Sequence, residues 1–383
     1  MFSDYFFGQQ LDPPQLVEIE PTLGCNLRCL MCHVPHMKQK TQMIDVETLD
    51  RQTSTLHDCH VIIGSQFEPT IHPEFDKILR LAIKRRWKLD FLTNATNLHR
   101  YDAALLADVE FHVFSVSFDG STKESFEFTR CGADYEKTLE NTLRGAEIAR
   151  KTGAYTAISA TVTRANVEET PDMIRKWEGF GFDLVRLSLA QVRALKEELF
   201  AQSLYPIMER TKTILNDVAH MIAHEHLRIG AQCAYYGNPT FKIPAGASVN
   251  DATVSSDNPL RREVRRVRQE FQYGDWPGMP IPCRSPFVYC RIRWDGGVDL
   301  CSKGDFLIGN INERSFEKIW NGRRARAIRN ALKVRDNPTC KSCDYFRLCI
   351  GYGHFDVETP QVHFPAGLID HPKTKEWLAA AVA

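Results

Sequence analysis

The sequence predicts an α/β fold: a partial (β/α)6 TIM-like barrel followed by a small cysteine-rich domain at the C-terminus. Short apolar or β-branched runs alternate with amphipathic stretches of helical length from residue 16 to about residue 228. The chain has 383 residues, more than the roughly 250–300 over which one hydrophobic core usually extends. Nine of the twelve cysteines fall into two groups, one near each end of the chain. These observations predict one large domain and one smaller, cysteine-rich domain.

Each unit of the predicted barrel joins a strand to a helix, and right-handed connections between such units produce a parallel sheet. Six units are fewer than the eight that close a TIM barrel. The predicted strands are 17–20, 60–64, 88–93, 111–118, 155–162 and 184–189. The predicted helices are 45–56, 73–86, 101–108, 135–151 and 167–179, and a longer helical region covers 194–226.

The domain boundaries are predicted from changes in composition. The barrel is expected over 14–230, and a linker or loop region over 231–280, because 237–260 is rich in Gly, Pro, Asn and Ser. The cysteine-rich domain is expected over 281–352, with a C-terminal tail over 353–383.

The charge pattern indicates neither nucleic acid nor membrane as a partner. Lysine plus arginine and aspartate plus glutamate each number 48. No apolar run approaches the ~18 residues of a membrane span. The N-terminal segment lacks a basic region followed by an apolar region and a cleavage site, so we expect a cytoplasmic protein without a secretory signal. Disulfides are not expected in that compartment, so the cysteine groups indicate metal ligands.

The first cysteine group, "CNLRCLMC", places Cys25, Cys29 and Cys32 directly after the first predicted strand. Iron–sulfur clusters are normally held by four thiolates, so three would leave one iron without a protein ligand and free to bind a substrate. A zinc site is the main alternative and would need a fourth ligand, for which His33 and His36 are near in sequence. A purely structural cluster of thiols is the remaining interpretation.

The second group begins at Cys283 and ends at Cys349. Cys283 and Cys301 flank a predicted hairpin that turns at Asp295-Gly296-Gly297, and Cys340 and Cys343 form a CxxC pair. Paired thiols of this kind are typical of zinc ribbons. From spacing alone, zinc and iron–sulfur both remain open.

The spacing CxxxCxxC after the first strand of a βα array resembles the signature of the radical S-adenosylmethionine (SAM) superfamily. The segments that support the resemblance are "GSQFEPTIHPEF" at 64–75, "LDFLTNAT" at 89–96, "SVSFDGSTKESFEFTRCG" at 115–132 and "ATVTRANVEETPDMIRKWEGFGFDLVRLS" at 160–188. The resemblance covers roughly residues 14–190. Two residues depart from the family pattern: Phe67 stands where glycine is usual, and Ala95 replaces the common glycine after asparagine.

The resemblance implies a [4Fe–4S] cluster on the three cysteines, with SAM chelating the open iron. An electron then cleaves SAM to a 5′-deoxyadenosyl radical, which abstracts a hydrogen atom from the substrate. The implied SAM-binding residues are Gln66, Glu68, Asn94, Ser117 and Arg130: Gln66 and Glu68 for the methionine amino group, Ser117 near the ribose or methionine end, and Arg130 for a carboxylate.

Together with this core, the second cysteine group resembles the SPASM or twitch extension, which carries auxiliary [4Fe–4S] clusters. We expect one auxiliary cluster, ligated by Cys283, Cys301, Cys340 and Cys343, because Gly353 occupies a position where the full pattern has cysteine. An arrangement with two clusters would also use Cys290 and Cys349.

The isolated Cys131 and Cys233 are candidate hydrogen-atom donors to a substrate radical, although a buried structural thiol is the simpler interpretation of each. The main functional prediction is an enzyme that oxidises, epimerises or dehydrates a small polar molecule such as an amino sugar or cyclitol. The alternative is a maturase that crosslinks or epimerises a ribosomal precursor peptide. A non-catalytic metal-binding scaffold is a third hypothesis. An electron donor such as flavodoxin or ferredoxin is the expected protein partner.

Overall fold

The computed structural model describes residues 11–32, 34–190, 202, 204, 207–235, 238–239, 285–301 and 306–332. In this part of the chain, eleven strands form one sheet, and β2 (Thr22–Leu23) pairs with β3 (Gln42–Met43) in a second, two-stranded sheet. The order in the large sheet is β10 (Asn238–Pro239), β9, β8, β7, β6, β5, β4, β1, β11 (Tyr289–Ile292), β12 (Gly297–Asp299) and β13 (Leu307–Asn310). The strands at the centre of the sheet are β1 (Leu16–Ile19), β4 (His60–Ile63), β5 (Lys88–Thr93), β6 (Phe111–Ser117), β7 (Tyr155–Val162), β8 (Leu184–Leu189) and β9 (Gly230–Tyr235). These seven strands are mutually parallel, which confirms the predicted α/β class and all six predicted strands.

Helices connect the parallel strands in the order that the sequence predicts. They are α1 (Val46–Gln52), α2 (Phe75–Arg85), α3 (Ala103–Asp108), α4 (Lys123–Thr129), α5 (Tyr135–Lys151), α6 (Thr170–Gly179) and α7 (Met208–His224). The short helix α4 is absent from the sequence prediction, since seven residues give too little apolar periodicity to detect. Its N-terminus is capped by Thr122, whose side chain accepts a hydrogen bond from the backbone N–H of Ser125.

The hydrophobic core lies between the sheet and these helices. Val17 of β1, Val61 of β4 and Phe91 of β5 are fully buried there, and the Phe91 ring stacks on Phe75 of α2 at a centroid distance of 5.6 Å. Because side chains alternate along a strand, the residues between these face the opposite side of the sheet, the barrel interior. Glu18 of β1 lies on that interior side and is buried.

The sheet extends beyond the predicted barrel at both edges. Strand β9 runs past the boundary predicted at residue 230 and is paired with β8, and β10 (Asn238–Pro239) pairs antiparallel with it. At the other edge, β11 (Tyr289–Ile292) pairs parallel with β1, and β12 (Gly297–Asp299) and β13 (Leu307–Asn310) follow antiparallel. The first strand thus has a partner on each side, and its polar groups are not left unpaired at an edge.

The hairpin predicted at Asp295-Gly296-Gly297 is the turn between β11 and β12. Gly296 adopts φ +78°, a conformation that strongly favours glycine. The Tyr289 hydroxyl at the start of β11 donates to Glu18 Oε2 at 2.6 Å, which links the hairpin to the barrel interior. Strands β11, β12 and β13, which lie within the predicted cysteine-rich domain, therefore continue the sheet of the barrel.

Three shorter helices complete the described C-terminal part: α8 (Ser285–Val288), α9 (Phe316–Trp320) and α10 (Arg323–Leu332). The Trp320 indole N–H donates to the Asp12 carbonyl at 2.8 Å, so this region also contacts the segment that precedes β1. None of the helices in the described residues is long and apolar enough to cross a membrane.

Candidate active site

The three clustered cysteines lie on the loop that follows β1, after the two-residue strand β2 (Thr22–Leu23). The sulfur of Cys25 accepts a hydrogen bond from the backbone N–H of Leu27, and that of Cys32 from Val34, both at 3.4 Å. All three thiols are partly exposed. Backbone N–H groups directed at cysteine sulfurs are a common feature of iron–sulfur sites, where they stabilise thiolate charge.

The loop is held against the end of α4 by two backbone hydrogen bonds. The N–H of Arg28 donates to the Cys131 carbonyl and that of Leu30 to the Thr129 carbonyl, each at 2.9 Å. This contact brings residues separated by about a hundred positions into one site. It also places Arg130, which lies between those two carbonyls, beside the cysteine loop.

The thiols of Cys25 and Cys29 lie in an environment that opposes their ionisation. Burial raises the pKa of Cys25, and it raises the pKa of Cys29 to about 12 despite the opposing effect of Arg130. The charges of the other cysteines also raise both pKa values, so the sulfurs are close enough to repel one another as thiolates. Such a set becomes stable as thiolates when metal cations compensate the charge, and metal binding would release their protons. The residues present therefore fit a metal cluster.

Glu68 lies at the carboxyl end of β4 and is buried. Its Oε1 accepts from the Thr70 hydroxyl, from the Thr70 N–H at 3.1 Å and from the Thr93 hydroxyl at 2.8 Å, and Oε2 accepts from the Asn94 N–H at 2.6 Å. Burial raises the pKa of this carboxyl, and the hydrogen bonds oppose that rise. Glu68 thus joins the ends of β4 and β5. Its predicted role in binding the SAM amino group stays a prediction.

Asn94 connects this carboxylate to the cysteine loop. Its side-chain amide donates to Asn26 Oδ1 at 2.9 Å and to the Cys25 sulfur at 3.6 Å. The next residue, Ala95, has φ +62° and is fully buried. This left-handed conformation gives a physical reason for glycine at the position in the family pattern, since a Cβ is unfavourable there.

Gln66 lies in the same turn, half-buried. Its backbone N–H donates to Glu20 Oε1 at 2.8 Å. Glu20 follows β1 and is fully buried, and burial followed by repulsion from Glu18 raises its pKa well above the usual range. The neighbouring Phe67 contacts Trp294 of the β11–β12 turn edge to face, at a centroid distance of 5.1 Å. Phe67 therefore packs against the hairpin.

Arg130 forms an ion pair with a residue that the sequence analysis did not identify. Its Nε lies 2.9 Å from Asp119 Oδ2, and both side chains are buried. Its Nη1 lies 4.0 Å from the Cys29 sulfur. Burial alone would lower the pKa of Arg130, but Asp119 and Cys29 together raise it. The guanidinium is thus a fixed positive charge beside the loop, and its predicted pairing with a SAM carboxylate stays a prediction.

Two residues near this site were missed from sequence. Asp119 comes two residues after Ser117, the last residue of β6, and its other oxygen accepts from the Thr161 N–H at 2.6 Å. Its position at the carboxyl end of a parallel strand was the available signal. Glu20 has the same signal at the end of β1. Ser117 itself is half-buried at the same end of the sheet.

The two candidate hydrogen-atom donors are placed differently. Cys131 is exposed, and its thiol donates to the Phe128 carbonyl at 3.3 Å. Cys233 lies on β9, paired with Leu187 of β8, far in strand order from β1. Cys131 therefore adjoins the cysteine loop. Cys233 is on β9, which is separated from β1 by the five strands β8, β7, β6, β5 and β4.

The predicted auxiliary ligands are only partly described. Cys301 follows β12 and is half-buried, whereas Cys290 is fully buried in β11, where burial raises its pKa well above the usual value. The ligand assignments that fall outside the described residues are Cys283, Cys340, Cys343 and Cys349. The ligand set of the auxiliary cluster stays a prediction.

Comparison with protein-family models gives two matches. Residues 19–190 match the radical SAM superfamily, and residues 283–344 match SPASM, an iron–sulfur cluster-binding domain. The two matched regions contain the two cysteine groups, the second as far as Cys343.

Similar sequences fall into several activity classes. An AdoMet-dependent heme synthase of Methanosarcina barkeri is 23% identical over 350 residues, covering 88% of this chain and 90% of that protein. The mycofactocin maturase MftC of Mycobacterium tuberculosis is 26% identical over 360 residues, covering 90% and 79%.

Among solved structures, Streptococcus suis SuiB bound to S-adenosylmethionine superposes with a TM-score of 0.58 at 15% identity, covering 92% of this chain and 76% of that one. The enzyme anSMEcpe with bound AdoMet superposes with a TM-score of 0.55 at 19% identity, covering 88% and 85%. These matches establish a shared fold.

Proposed function

The chain belongs to the radical SAM superfamily and carries a C-terminal SPASM iron–sulfur domain, and from this we propose that it modifies a peptide by radical chemistry. The observation that carries the radical step is the loop of Cys25, Cys29 and Cys32, held beside a buried arginine at the carboxyl end of a parallel sheet. A superfamily member of this kind contains a [4Fe–4S] cluster and SAM, and its SPASM domain binds auxiliary clusters.

When bound, the cluster supplies the electron that splits SAM into methionine and a 5′-deoxyadenosyl radical, which removes a hydrogen atom from a substrate C–H bond. The protein's own contribution is placement. Asn94 donates to the Cys25 sulfur, and Arg130, oriented by Asp119, supplies positive charge at Cys29. Glu68 fixes the loop that carries Asn94.

A peptide substrate is supported by solved structures of the same fold. SuiB is known in complex with the precursor peptide SuiA, with a TM-score of 0.58, and anSMEcpe with a Cp18Cys peptide, with a TM-score of 0.51. The small polar substrate that the sequence favoured has less support than this alternative. A second candidate is tetrapyrrole chemistry, which the similarity to AdoMet-dependent heme synthases favours.

We also propose one auxiliary [4Fe–4S] cluster on Cys283, Cys301, Cys340 and Cys343. Its electrons would come from, or pass to, a flavodoxin or ferredoxin. Iron and sulfide analysis of a Cys25, Cys29 and Cys32 triple alanine variant measures the auxiliary iron–sulfur content alone. About four irons per chain would support one cluster, and about eight would support two.

The radical step is tested anaerobically. The protein is reconstituted with iron and sulfide, given SAM and dithionite, and assayed for 5′-deoxyadenosine by mass spectrometry. Cys29→Ala should abolish the product, and Cys59→Ala, which changes a buried cysteine outside both groups, should retain it. Product formation by Cys29→Ala at the wild-type rate would contradict the proposed site.

The substrate class is tested by adding three probes separately to the same reaction. They are a peptide translated from a short reading frame beside the gene, iron-coproporphyrin III, and an amino sugar. Peptide modification predicts faster 5′-deoxyadenosine formation and a mass change in the peptide alone. Stimulation by the tetrapyrrole or the amino sugar, with the peptide mass unchanged, would replace the peptide proposal with that class.

A further inference from the structure

Three potential metal ligands meet at the opposite end of the same sheet. His60 opens β4, Asp90 is the third residue of β5, and His112 is the second residue of β6. One ligand atom from each lies within 4.8 Å of the other two. His112 Nδ1 lies 2.7 Å from Asp90 Oδ1, and the two imidazole rings meet edge to face at a centroid distance of 4.8 Å.

Strand geometry directs two of these side chains into the barrel interior. Val61 and Leu89, each adjacent in sequence to His60 or Asp90, belong to the core beneath the helices. Since successive side chains on a strand face opposite sides, His60 and Asp90 face inward. His60 is 7% exposed, and the Asp90 side chain is 15% exposed.

An irregularity in β6 brings in the third side chain. Leu89 pairs with Phe111 but Asp90 pairs with Val113, so His112 is an extra residue in the ladder. Phe111 and Phe114 consequently both contact Phe91 on the helix side, although they are three residues apart. A β-bulge is a common device for redirecting a side chain toward a functional site. Here it leaves His112 facing the other two ligands.

We propose that His60, Asp90 and His112 bind a divalent transition-metal ion, with zinc as the ion to test first. Two imidazoles and one carboxylate are a frequent donor set for zinc and iron(II), with further positions left for water. The site lies at the amino ends of β4, β5 and β6, whereas Glu68 and Asn94 lie at the carboxyl ends. It is therefore separate from the cysteine loop and independent of the proposed radical function.

Binding requires small movements. Zinc held at about 2.0–2.1 Å from each donor places donors roughly 3.4 Å apart in tetrahedral geometry. The distance between His112 Nδ1 and Asp90 Oδ1 would increase from 2.7 Å, and their hydrogen bond would be replaced by bonds to the metal. Ligand atoms that are now up to 4.8 Å apart would move closer to one another. The ion would then connect three adjacent strands of the sheet near their amino ends.

The test uses the holoenzyme with its clusters loaded, incubated with zinc alone and desalted. Elemental analysis should find about one zinc per chain, and zinc X-ray absorption should show nitrogen and oxygen ligands at about 2.0–2.1 Å. His112→Ala should weaken zinc binding by at least about 10–100-fold, the loss typical of changing even an outer-shell partner. His57→Ala changes an exposed histidine that is not one of the three proposed zinc ligands, and this variant should bind zinc as the wild type does.

Asp90→Asn is the second variant, because it keeps the size of the side chain and can still hydrogen bond to His112. Its circular dichroism spectrum should match that of the wild type, which would show that it folds, but it should no longer bind zinc. The thermal stabilisation that zinc gives the wild type should be absent from it. Zinc coordinated by sulfur at about 2.3 Å, equal zinc in wild type and Asp90→Asn, or no zinc in the wild type would each overturn the proposal.

Discussion

The ion pair between Asp119 and Arg130 makes a quantitative prediction about stability. Asp119 is fully buried and Arg130 is 8% exposed, so neither charge has access to bulk water. Asp119→Asn would remove one charge while keeping an oxygen to accept from the Thr161 N–H, a bond of 2.6 Å in the wild type. The substitution therefore isolates the ion pair from the backbone hydrogen bond.

The expected loss follows from leaving Arg130 buried and uncompensated. Breaking a buried pair from one side typically destabilises by about 3–5 kcal/mol. Asp119→Ala should lose a further ~1–3 kcal/mol, because it also leaves the part-buried Thr161 N–H without its acceptor. Arg130→Met should resemble Asp119→Asn. The double variant should be more stable than the sum of the two single losses predicts, since it leaves no unpaired charge.

The assay is chemical denaturation of the cluster-free protein, followed by tryptophan fluorescence, because Trp87 and Trp177 are buried in the barrel. Asp58→Asn is the control: its ion pair with Arg86 is exposed, and its loss should have little effect. If both single variants at Asp119 and Arg130 lost less than about 1 kcal/mol, or if their effects added, burial would not make either charge depend on the other.

Three further predictions concern other positions. Glu20→Gln should stabilise the protein at pH 8 but not near pH 4. Burial raises the pKa of Glu20 in the folded protein, so at a pH above the pKa of the unfolded chain the loss of its proton opposes folding. Denaturation at both pH values checks this, and equal stability of variant and wild type at pH 8 would contradict it. Gly145→Ala should destabilise by about 1–3 kcal/mol, because the new methyl would lie 2.5 Å from a ring carbon of Phe114; Gly179→Ala, with no atom within 4 Å, should not destabilise in the same assay. Asn94→Ala should lower the reduction potential of the cluster on Cys25, Cys29 and Cys32, since it removes an N–H donor that lies 3.6 Å from the Cys25 sulfur. A redox titration followed by electron paramagnetic resonance measures this potential, and an unchanged value would contradict the prediction.

The predicted strands agree with the structure where the sequence pattern is local. Strands 88–93, 155–162 and 184–189 have the bounds predicted, because short apolar runs between turn residues need no knowledge of distant partners. Strand β9 was missed because its residues, "GAQCAY", have little of the β-branched character that marks the others. The hairpin at Gly296 was predicted, but its pairing with β1 was not, since pairing joins residues about 270 positions apart.

In the candidate site, too, local features were predicted from the sequence and contacts between distant segments were not. The spacing of Cys25, Cys29 and Cys32 placed three thiols on one loop, because neighbouring residues of a loop are brought together by local geometry. That they hold a cluster with an open iron position stays a prediction that rests on the family resemblance. Asp119 as the partner of Arg130 was not predicted, since an ion pair of a fully buried aspartate depends on how two elements pack. Glu20 was missed for the same reason: its hydrogen bond to Gln66 spans two neighbouring strands.

The sequence by itself determined the α/β class, the order of most elements and the three-cysteine loop, because each of these depends on periodicity or spacing within a short stretch of the chain. Only the tertiary structure decided which side chains meet at each end of the sheet. Strand register and the bulge in β6 bring His60, Asp90 and His112 together, as packing of α4 brings Arg130 to Cys29. Such meetings depend on long-range pairing, whose free energy is spread over the whole sheet and core and leaves no local pattern in the chain.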